Sequence, residues 1–301
     1  MKAKPALLVF PALLALGGCS LGRLAANTVG DAIAQGGGSF ASDDDPELIQ
    51  AAAPFSLKLM ESLLAETPEH RGLLLAAAKG FTQYAYAFVH EDADEVEAHD
   101  AAAALAMRLR ARRLYARGRD YGLRALEAAH PGFRVRLEAD PPAAVSSLTR
   151  DDAERLYWTV VPWAAVISLS KDSASAIAGL RPLDFMVSRL QQLDPDIDHG
   201  ALHAFLIGYE MSRPGARNRE EIARIHFEAA LRLSGRQSAG PYVAWAESVC
   251  VATQNRREFV ATLERATAID PEAHPEWRLE NAVMQRRARW LLGQVDELFL
   301  Q

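Results

Sequence analysis

Apolar residues recur at the three- and four-residue spacing of amphipathic helices from residue 45 to the end of the chain. Asp45 followed by Pro46 predicts the start of the first helix, because aspartate caps helix N-termini and proline fits the first helical position. One short segment, residues 133–137, alternates apolar and charged residues and predicts an extended piece. The pattern as a whole predicts an all-α fold.

Four of the predicted helices end at a proline, which stops a helix and moves the preceding residue out of helical conformation. These prolines are Pro68, Pro131, Pro195 and Pro271. Their spacings of 63, 64 and 76 residues are about twice the 34-residue period of tetratricopeptide repeats. Ala223, Phe227 and Ala230 match the small and aromatic positions of the second helix of that repeat. We therefore expect an irregular tetratricopeptide-like helical-repeat array, with a non-repeating helical bundle as the alternative.

The residues before this helical pattern predict an export signal. Lys2 and Lys4 precede an apolar run over residues 5–16, which is shorter than the roughly 20 residues of a membrane-spanning helix. The run ends in Leu-Gly-Gly-Cys at residues 16–19, which resembles the bacterial lipoprotein box. We expect a signal peptide over residues 1–18 and a lipid on Cys19, with ordinary cleavage near Gly18 as the alternative.

Residues 19–44 are predicted to be a lipidated flexible tether, because they contain a glycine-serine stretch at 36–39 and an acidic run at 43–45. Residues 45–301 then form a single helical-repeat domain. Ser20 is not aspartate, a feature that favours sorting of a lipoprotein to the outer membrane in bacteria with two membranes. We therefore expect a protein anchored by lipid on the periplasmic face of the envelope.

The chain is acidic, with a net charge of -6 that becomes -8 when Lys2 and Lys4 leave with the signal peptide. Binding to nucleic acid requires a basic surface, so this class of partner is excluded. Half of the residues are hydrophobic, which is enough for a large core. Cys250 lies among apolar neighbours and is predicted to be a buried, unreactive thiol.

Two aromatic clusters, at residues 81–88 and 156–163, are candidates for a ligand-binding cavity. Phe81, Tyr84 and Phe88 share one helical face, and Pro162 is expected to bend the second helix. Packing in a helical core is the alternative for both clusters. The candidate cavity lining is Tyr84, Tyr121, Trp158 and Trp163, together with Arg117.

Seven arginines between residues 108 and 124 form two opposed stripes on a helix. Both stripes cannot easily face bulk water inside a helical array, so one is expected to face an inter-helix space. Pairing with acidic side chains and binding of an anion are both compatible with guanidinium chemistry. We expect Arg117 to bind the carboxylate of a ligand.

Neither a metal centre nor a catalytic site is indicated by the remaining motifs. His199 and His203 have the i, i+4 spacing of helical metal sites, but the motif lacks its glutamate and a third ligand. No spacing brings together a nucleophile, a base and an oxyanion site. The sequence predicts a binding protein without cofactor or metal, and not an enzyme.

Several stretches in order along the chain resemble the TatT lipoproteins, the tetratricopeptide-type T components associated with bacterial TRAP transporters. They are DPEL at 45–48, APFSLKLMESLL at 53–64, GFTQYAYAF at 80–88, RARRLYAR at 110–117, LYWT at 156–159, GALH at 200–203, HFEAAL at 226–231, and Asn281 with RARWLL at 287–292.

This resemblance implies a lipid-anchored periplasmic protein whose helices surround a hydrophobic cavity or pore. It also implies assembly into a homo-oligomer, typically a trimer, and a periplasmic solute-binding protein of the TRAP type as the partner. The ligand passed between the two proteins would be an apolar molecule or an organic acid. The alternative function is a helical-repeat scaffold of the cell envelope that binds proteins and no small molecule.

Overall fold

A computed structural model of the protein describes residues 18–36, 38–213 and 215–300, with side chains from residue 25 onward. The α-helices are, in chain order, α1 (Gly18–Gln35), α2 (Gly38–Ala41), α3 (Pro46–Glu66), α4 (Arg71–Ala85), α5 (Glu91–Glu97), α6 (Ala101–Ala129), α7 (Phe133–Ala139), α8 (Pro141–Ser146), α9 (Ala153–Ser168), α10 (Ala174–Ala178), α11 (Leu180–Leu193), α12 (Ile197–Ser212), α13 (Arg219–Leu233), α14 (Gly240–Trp245), α15 (Arg256–Thr267), α16 (Arg278–Gly293) and α17 (Val295–Leu298).

Two π-helical segments, Tyr86–His90 and Ala246–Cys250, continue α4 and α14. Short 3-10 turns occur at Arg150–Asp152, Pro271–Ala273 and Pro275–Trp277. The described residues contain no strand, which confirms the all-α fold. Within them, no helix has both the length and the apolar composition needed to cross a bilayer. The predicted signal peptide before Gly18 and the side chain of Cys19 lie outside what the structure describes.

Prolines end the helices as predicted. Helices α3, α6 and α11 stop two residues before Pro68, Pro131 and Pro195, and α15 stops four residues before Pro271. The capping residues of the first three have ψ angles of 67°, 83° and 81°, the extended conformation that a following proline helps to impose.

The extended piece predicted at residues 133–137 is wrong, because this segment is helix α7. Phe133 and Leu137 are buried, whereas Val135 is 72% exposed. In a strand all three side chains would share one face, but in a helix only residues four apart do. The burial pattern therefore has the helical period, which five residues of sequence could not distinguish from alternation.

The flexible coil predicted for residues 19–44 is also wrong, since α1 covers most of it and packs against α3 and α4. Gly30 and Gly72 permit the close approach: a Cβ on Gly30 would lie 2.7 Å from Leu73, and one on Gly72 would lie 3.0 Å from Ala34. His70 Nε2 lies 3.3 Å from the carbonyl oxygen of Asn27. Glycine serves helix packing here and does not confer flexibility.

Six helices contact one another in a closed order that we call the circuit, in which α3 contacts both α16 and α4. Helix α4 contacts α9, which contacts α12, then α14 and then α16. Helix α16 returns to the first half of the chain, where it contacts α3 and pairs with acidic residues of α5. Other long helices pack on members of the circuit: α6 on α4 and α9, α11 on α9, α13 on α12, and α15 on α14 and α16.

Helix α6 lies very close to α4 and α9 because it carries glycine at both crossings. A Cβ on Gly118 would lie 2.6 Å from Thr82 Oγ1, and one on Gly122 would lie 2.4 Å from Thr159 Oγ1 and 3.0 Å from the carbonyl oxygen of Trp158. These contacts fix the relative positions of two helices of the circuit.

We predict that Gly122→Ala lowers the free energy of unfolding by about 1–3 kcal/mol, because its methyl group overpacks the α6–α9 crossing. The matched control is Gly293→Ala, where a new Cβ meets no atom within 4 Å and should change stability by less than about 0.5 kcal/mol. Urea unfolding followed by circular dichroism measures both variants. Equal effects at the two positions would contradict the close crossing.

Candidate functional site

The two π-helical segments place carboxylates near one side chain of α16. In each segment a backbone N–H bonds five residues back, from Glu91 to Tyr86 and from Val251 to Ala246. The extra residue in such a turn rotates the side chains that follow it, and π turns are frequent at functional sites. Glu91 directly follows the first segment and lies 2.7 Å from Arg287, and Glu247 lies within the second segment, 2.6 Å from Arg287.

Arg287 is a buried guanidinium held by three carboxylates. Its side chain is only 8% exposed. Its Nε lies 2.7 Å from Glu91 Oε2 and 2.8 Å from Glu247 Oε1, and its Nη2 lies 2.7 Å from Asp94 Oδ2. The guanidinium carbon also lies 4.4 Å from the ring centroid of Trp290. A buried charge requires such partners, and two of the three come from a segment almost 200 residues earlier in the chain.

Hydrogen bonding in this cluster is incomplete. The Nε–H of Arg287 points to Glu247, so Glu91 Oε2 lies close to the guanidinium yet receives no hydrogen bond. Arg287 Nη1 also has no hydrogen-bond partner among the described residues. Because unsatisfied buried atoms are rare in native structures, this arrangement indicates a position where a proton can be held.

Two more arginines extend the cluster on either side of α5. Arg108 of α6 lies 2.7 Å from Asp94 Oδ1 and 2.6 Å from Glu97 Oε2. Arg286 of α16 pairs with Asp92 and lies 3.6 Å from Glu95 Oε1. The acidic residues of α5 therefore join α6 on one side to the last long helix on the other.

The three carboxylates around Arg287 differ in their affinity for a proton. Burial, and then the charge of Glu247, raise the pKa of Glu91 to about 8 against the opposing effect of Arg287. Burial raises the pKa of Glu247 as well, although Arg287 again opposes it. Burial acts in the same direction on Asp94, but hydrogen bonds from Arg108 and the charge of Arg287 outweigh it and lower that pKa. One proton is thus retained near neutral pH by the pair Glu91 and Glu247.

The predicted lining residues on α4 and α6 lie in two neighbouring groups. Tyr121 stacks on Phe81 with 5.7 Å between ring centroids, and its hydroxyl donates to Glu61 Oε1. Arg117 lies over Phe81 and 3.7 Å from Glu61, and its side chain is 52% exposed. The carboxylate that Arg117 meets thus belongs to α3 of the same chain.

Tyr84 is buried and accepts a hydrogen bond from Arg110 Nη2 at 3.3 Å. The arginines of the stripes predicted from the sequence therefore have different kinds of partner. Arg108 and Arg117 pair with acidic side chains, whereas Arg110 packs on an aromatic ring.

Trp158 and Trp163, the predicted lining residues of α9, have other partners. Trp158 is buried against Tyr157, and the ammonium group of Lys79 lies 5.5 Å from its ring centroid. Trp163 lies under Arg119 and beside Gly179, where a Cβ would come within 2.8 Å of the indole nitrogen. Lys79 forms no ion pair within 4 Å in the described part of the chain.

The two histidines singled out by their spacing do not share a helical face. Asp198, His199 and Gly200 have positive φ angles, so His199 precedes the regular part of α12. His199 packs edge-on against Trp277 and borders a small cavity of about 40 Å³. His203 instead lies with its Nδ1 2.9 Å from His226 Nδ1.

Glu91, Glu247 and Arg287 were not predicted as site residues. The sequence does carry a signal for Glu247, because this residue stands among buried apolar and small residues, between Trp245-Ala246 and Val249-Cys250. Charged residues at such positions are seldom fully buried unless paired. Their partners could not be named, since spacing along one helix does not reveal which distant helix faces it.

The chain is similar to known proteins over nearly all of its described length. A family model described as TRAP transporter T-component (TAtT) matches residues 42–299. A protein of Treponema pallidum (strain Nichols), described as an uncharacterized protein, is 31% identical over 315 aligned residues, which cover 97% of this chain and 96% of that protein.

We predict that Arg287→Met lowers the free energy of unfolding by about 3–5 kcal/mol, because it leaves three carboxylates without their shared cation. Arg289→Met is the matched control: this arginine is exposed on the same helix and forms no ion pair with a described residue. Chemical denaturation at pH 7 measures both. A loss of less than about 1 kcal/mol for Arg287→Met would contradict the role of this residue in closing the circuit.

Proposed function

We propose, because the chain belongs to the TRAP transporter T-component family, that it is a lipid-anchored periplasmic accessory protein of a TRAP-type uptake system. It binds an apolar or organic-acid ligand within the circuit and interacts with the periplasmic solute-binding protein of that system. Family membership supports the accessory role in TRAP transport.

The observation that carries the ligand-binding proposal is the position of Tyr86. Its hydroxyl lies 3.8 Å from Met284 Sδ, which joins the α4 side of the circuit to α16. Its side chain nevertheless remains 37% exposed. We infer from this accessible ring, which contacts two members of the circuit, that an opening lies between them, because concave, partly apolar spaces suit small ligands.

The ammonium group of Lys79 and the indole of Trp158 suit the two parts of an organic acid, its carboxylate and its apolar chain. Lys79 is half-buried on α4, about two helical turns before Tyr86, and has no carboxylate within 4 Å. The indole of Trp158 lies beside its ammonium group. We propose that Lys79 binds the carboxylate of the ligand while Trp158 packs against its apolar part. Tyr84, Tyr121, Trp163 and Arg117 form the second candidate lining, in which Arg117 would have to leave Glu61.

Calorimetry with decanoate separates the two linings. The chain carrying Cys19→Ser, refolded free of lipid, is expected to bind decanoate. Lys79→Met should weaken this binding about tenfold, which corresponds to about 1.4 kcal/mol. Trp158→Ala should weaken it as well, and Arg117→Met should change it less than twofold.

If the Cys19→Ser chain binds no decanoate and Trp158→Ala gives the same calorimetric result, the data would argue against a ligand site. Loss of binding in Arg117→Met with none in Lys79→Met would move the site to the second lining.

The predicted anchor is tested independently of the ligand. Mass spectrometry of the mature N-terminal peptide should show diacylglycerol on Cys19, and Cys19→Ser should move the protein from the membrane fraction to the soluble fraction. Ser20→Asp should shift the protein toward the inner membrane if the sorting prediction is right. An unmodified Cys19 peptide, or membrane retention of Cys19→Ser, would contradict lipid anchoring.

The alternative function, an envelope scaffold without a small-molecule ligand, is favoured by one feature of α3. Leu48, Phe55 and Leu59 lie on its outer face, and Phe55 is 74% exposed. Exposed apolar stripes are common at protein interfaces. Affinity capture from envelope extract, with mass spectrometry of proteins and small molecules, distinguishes the two functions, and light scattering tests the proposed trimer.

A further inference from the structure

The last long helix is joined to the first half of the molecule by charged side chains. We call this contact the seam; it consists of α5, α16 and the π segment Ala246–Cys250. Arg286 and Arg287 of α16 pair with acids of α5, and Arg287 also pairs with Glu247. The seam is where the circuit closes, and Tyr86 and Met284 lie next to it.

The seam and its border contain more carboxylates than cations. Three guanidiniums are shared by six carboxylates, namely Glu91, Asp92, Asp94, Glu95, Glu97 and Glu247. The guanidiniums are those of Arg108, Arg286 and Arg287. Each one already contacts at least two acids, so no cation remains to balance the most buried carboxylate, that of Glu91.

The other polar groups that face the seam add no positive charge near neutral pH. Burial lowers the pKa of His90, whose Nδ1 lies 3.3 Å from the Tyr115 hydroxyl. Burial and the charge of Glu91 raise the pKa of Tyr115, so its phenol stays neutral. The amide of Gln50 on α3 donates a hydrogen bond to Asp92. The Tyr86 phenol, which faces Glu91, is the last polar group at the seam.

We propose that the seam is a latch operated by one proton shared between Glu91 and Glu247. With the proton in place, Glu91 is neutral and the circuit is closed. When the proton leaves to water, the carboxylates of Glu91 and Glu247 repel each other, and α5 separates from the π segment and from α16, which opens the circuit beside Tyr86. That this opening admits the ligand rests on the proposed function, but the opening itself does not.

The direction of the pH dependence follows from linkage. In the open state Glu91 is solvated and loses its proton near its ordinary pKa, whereas in the closed state it keeps the proton up to about pH 8. Raising the pH between these values therefore favours the open state, by about tenfold in the opening constant per pH unit for one proton. Above pH 8 the constant levels off.

Hydrogen exchange with mass spectrometry tests the latch on the complete mature chain without any ligand. Between pH 6 and pH 8, corrected for the intrinsic exchange rate, protection of amides in α5 and α16 should fall about fiftyfold. Amides of α11, which does not touch the seam, serve as the internal control. Glu91→Gln removes the titrating group and should make protection at the seam independent of pH, and Glu247→Gln gives a second variant should the first fail to fold.

Glu138→Gln, an exposed acid outside the seam, should keep the wild-type profile. Constant protection of α5 and α16 over this range in the unmodified chain would overturn the latch, as would an equal fall in both seam variants. Because no ligand is present, opening with pH in a chain that binds no decanoate would refute the ligand proposal and leave the latch intact.

Discussion

The structure depends on how one buried guanidinium is neutralised. Arg287 lies inside the molecule, and removing its charge from water is costly unless carboxylates surround it. Asp94 and Glu91 come from the first half of the chain, and Glu247 comes from a π segment of the second half. The circuit of helices can therefore close only when these distant segments meet, and the charges at this point favour the closed arrangement over an open row of helices.

Close helix packing supplies the complementary constraint. Glycines at positions 118 and 122 bring α6 against α4 and α9, and Gly30 brings α1 against α4. Without side chains at these points the backbones approach closely, so the positions of the helices are fixed by contact and not only by apolar burial. The residue lining of the proposed ligand space, Lys79 and Trp158 above all, is held by helices that these crossings position.

Features that depend on local chain chemistry were predicted well, and those that depend on distant neighbours were not. Proline marks helix ends wherever it occurs, so the ends near Pro68, Pro131 and Pro195 and the all-α fold follow from sequence. Glycine is ambiguous, which is why α1 was predicted as coil. Arg117 and Tyr121 were candidates for the same cavity lining, but helical spacing could not show that Glu61 would already pair with both. The partners of Arg287 were beyond prediction for the same reason.

Tyr86 is proposed to border a space inside the circuit that a ligand can occupy. Thiol labelling of Tyr86→Cys in the Cys19→Ser chain tests this directly. The remaining thiol, Cys250, should not react with the label, because burial raises its pKa to about 12. Val135→Cys, at an exposed position outside the circuit, is the control. We expect a small maleimide to label both cysteines and decanoate to protect only the one at position 86. An unlabelled Cys at 86, or labelling that decanoate does not slow, would contradict the account.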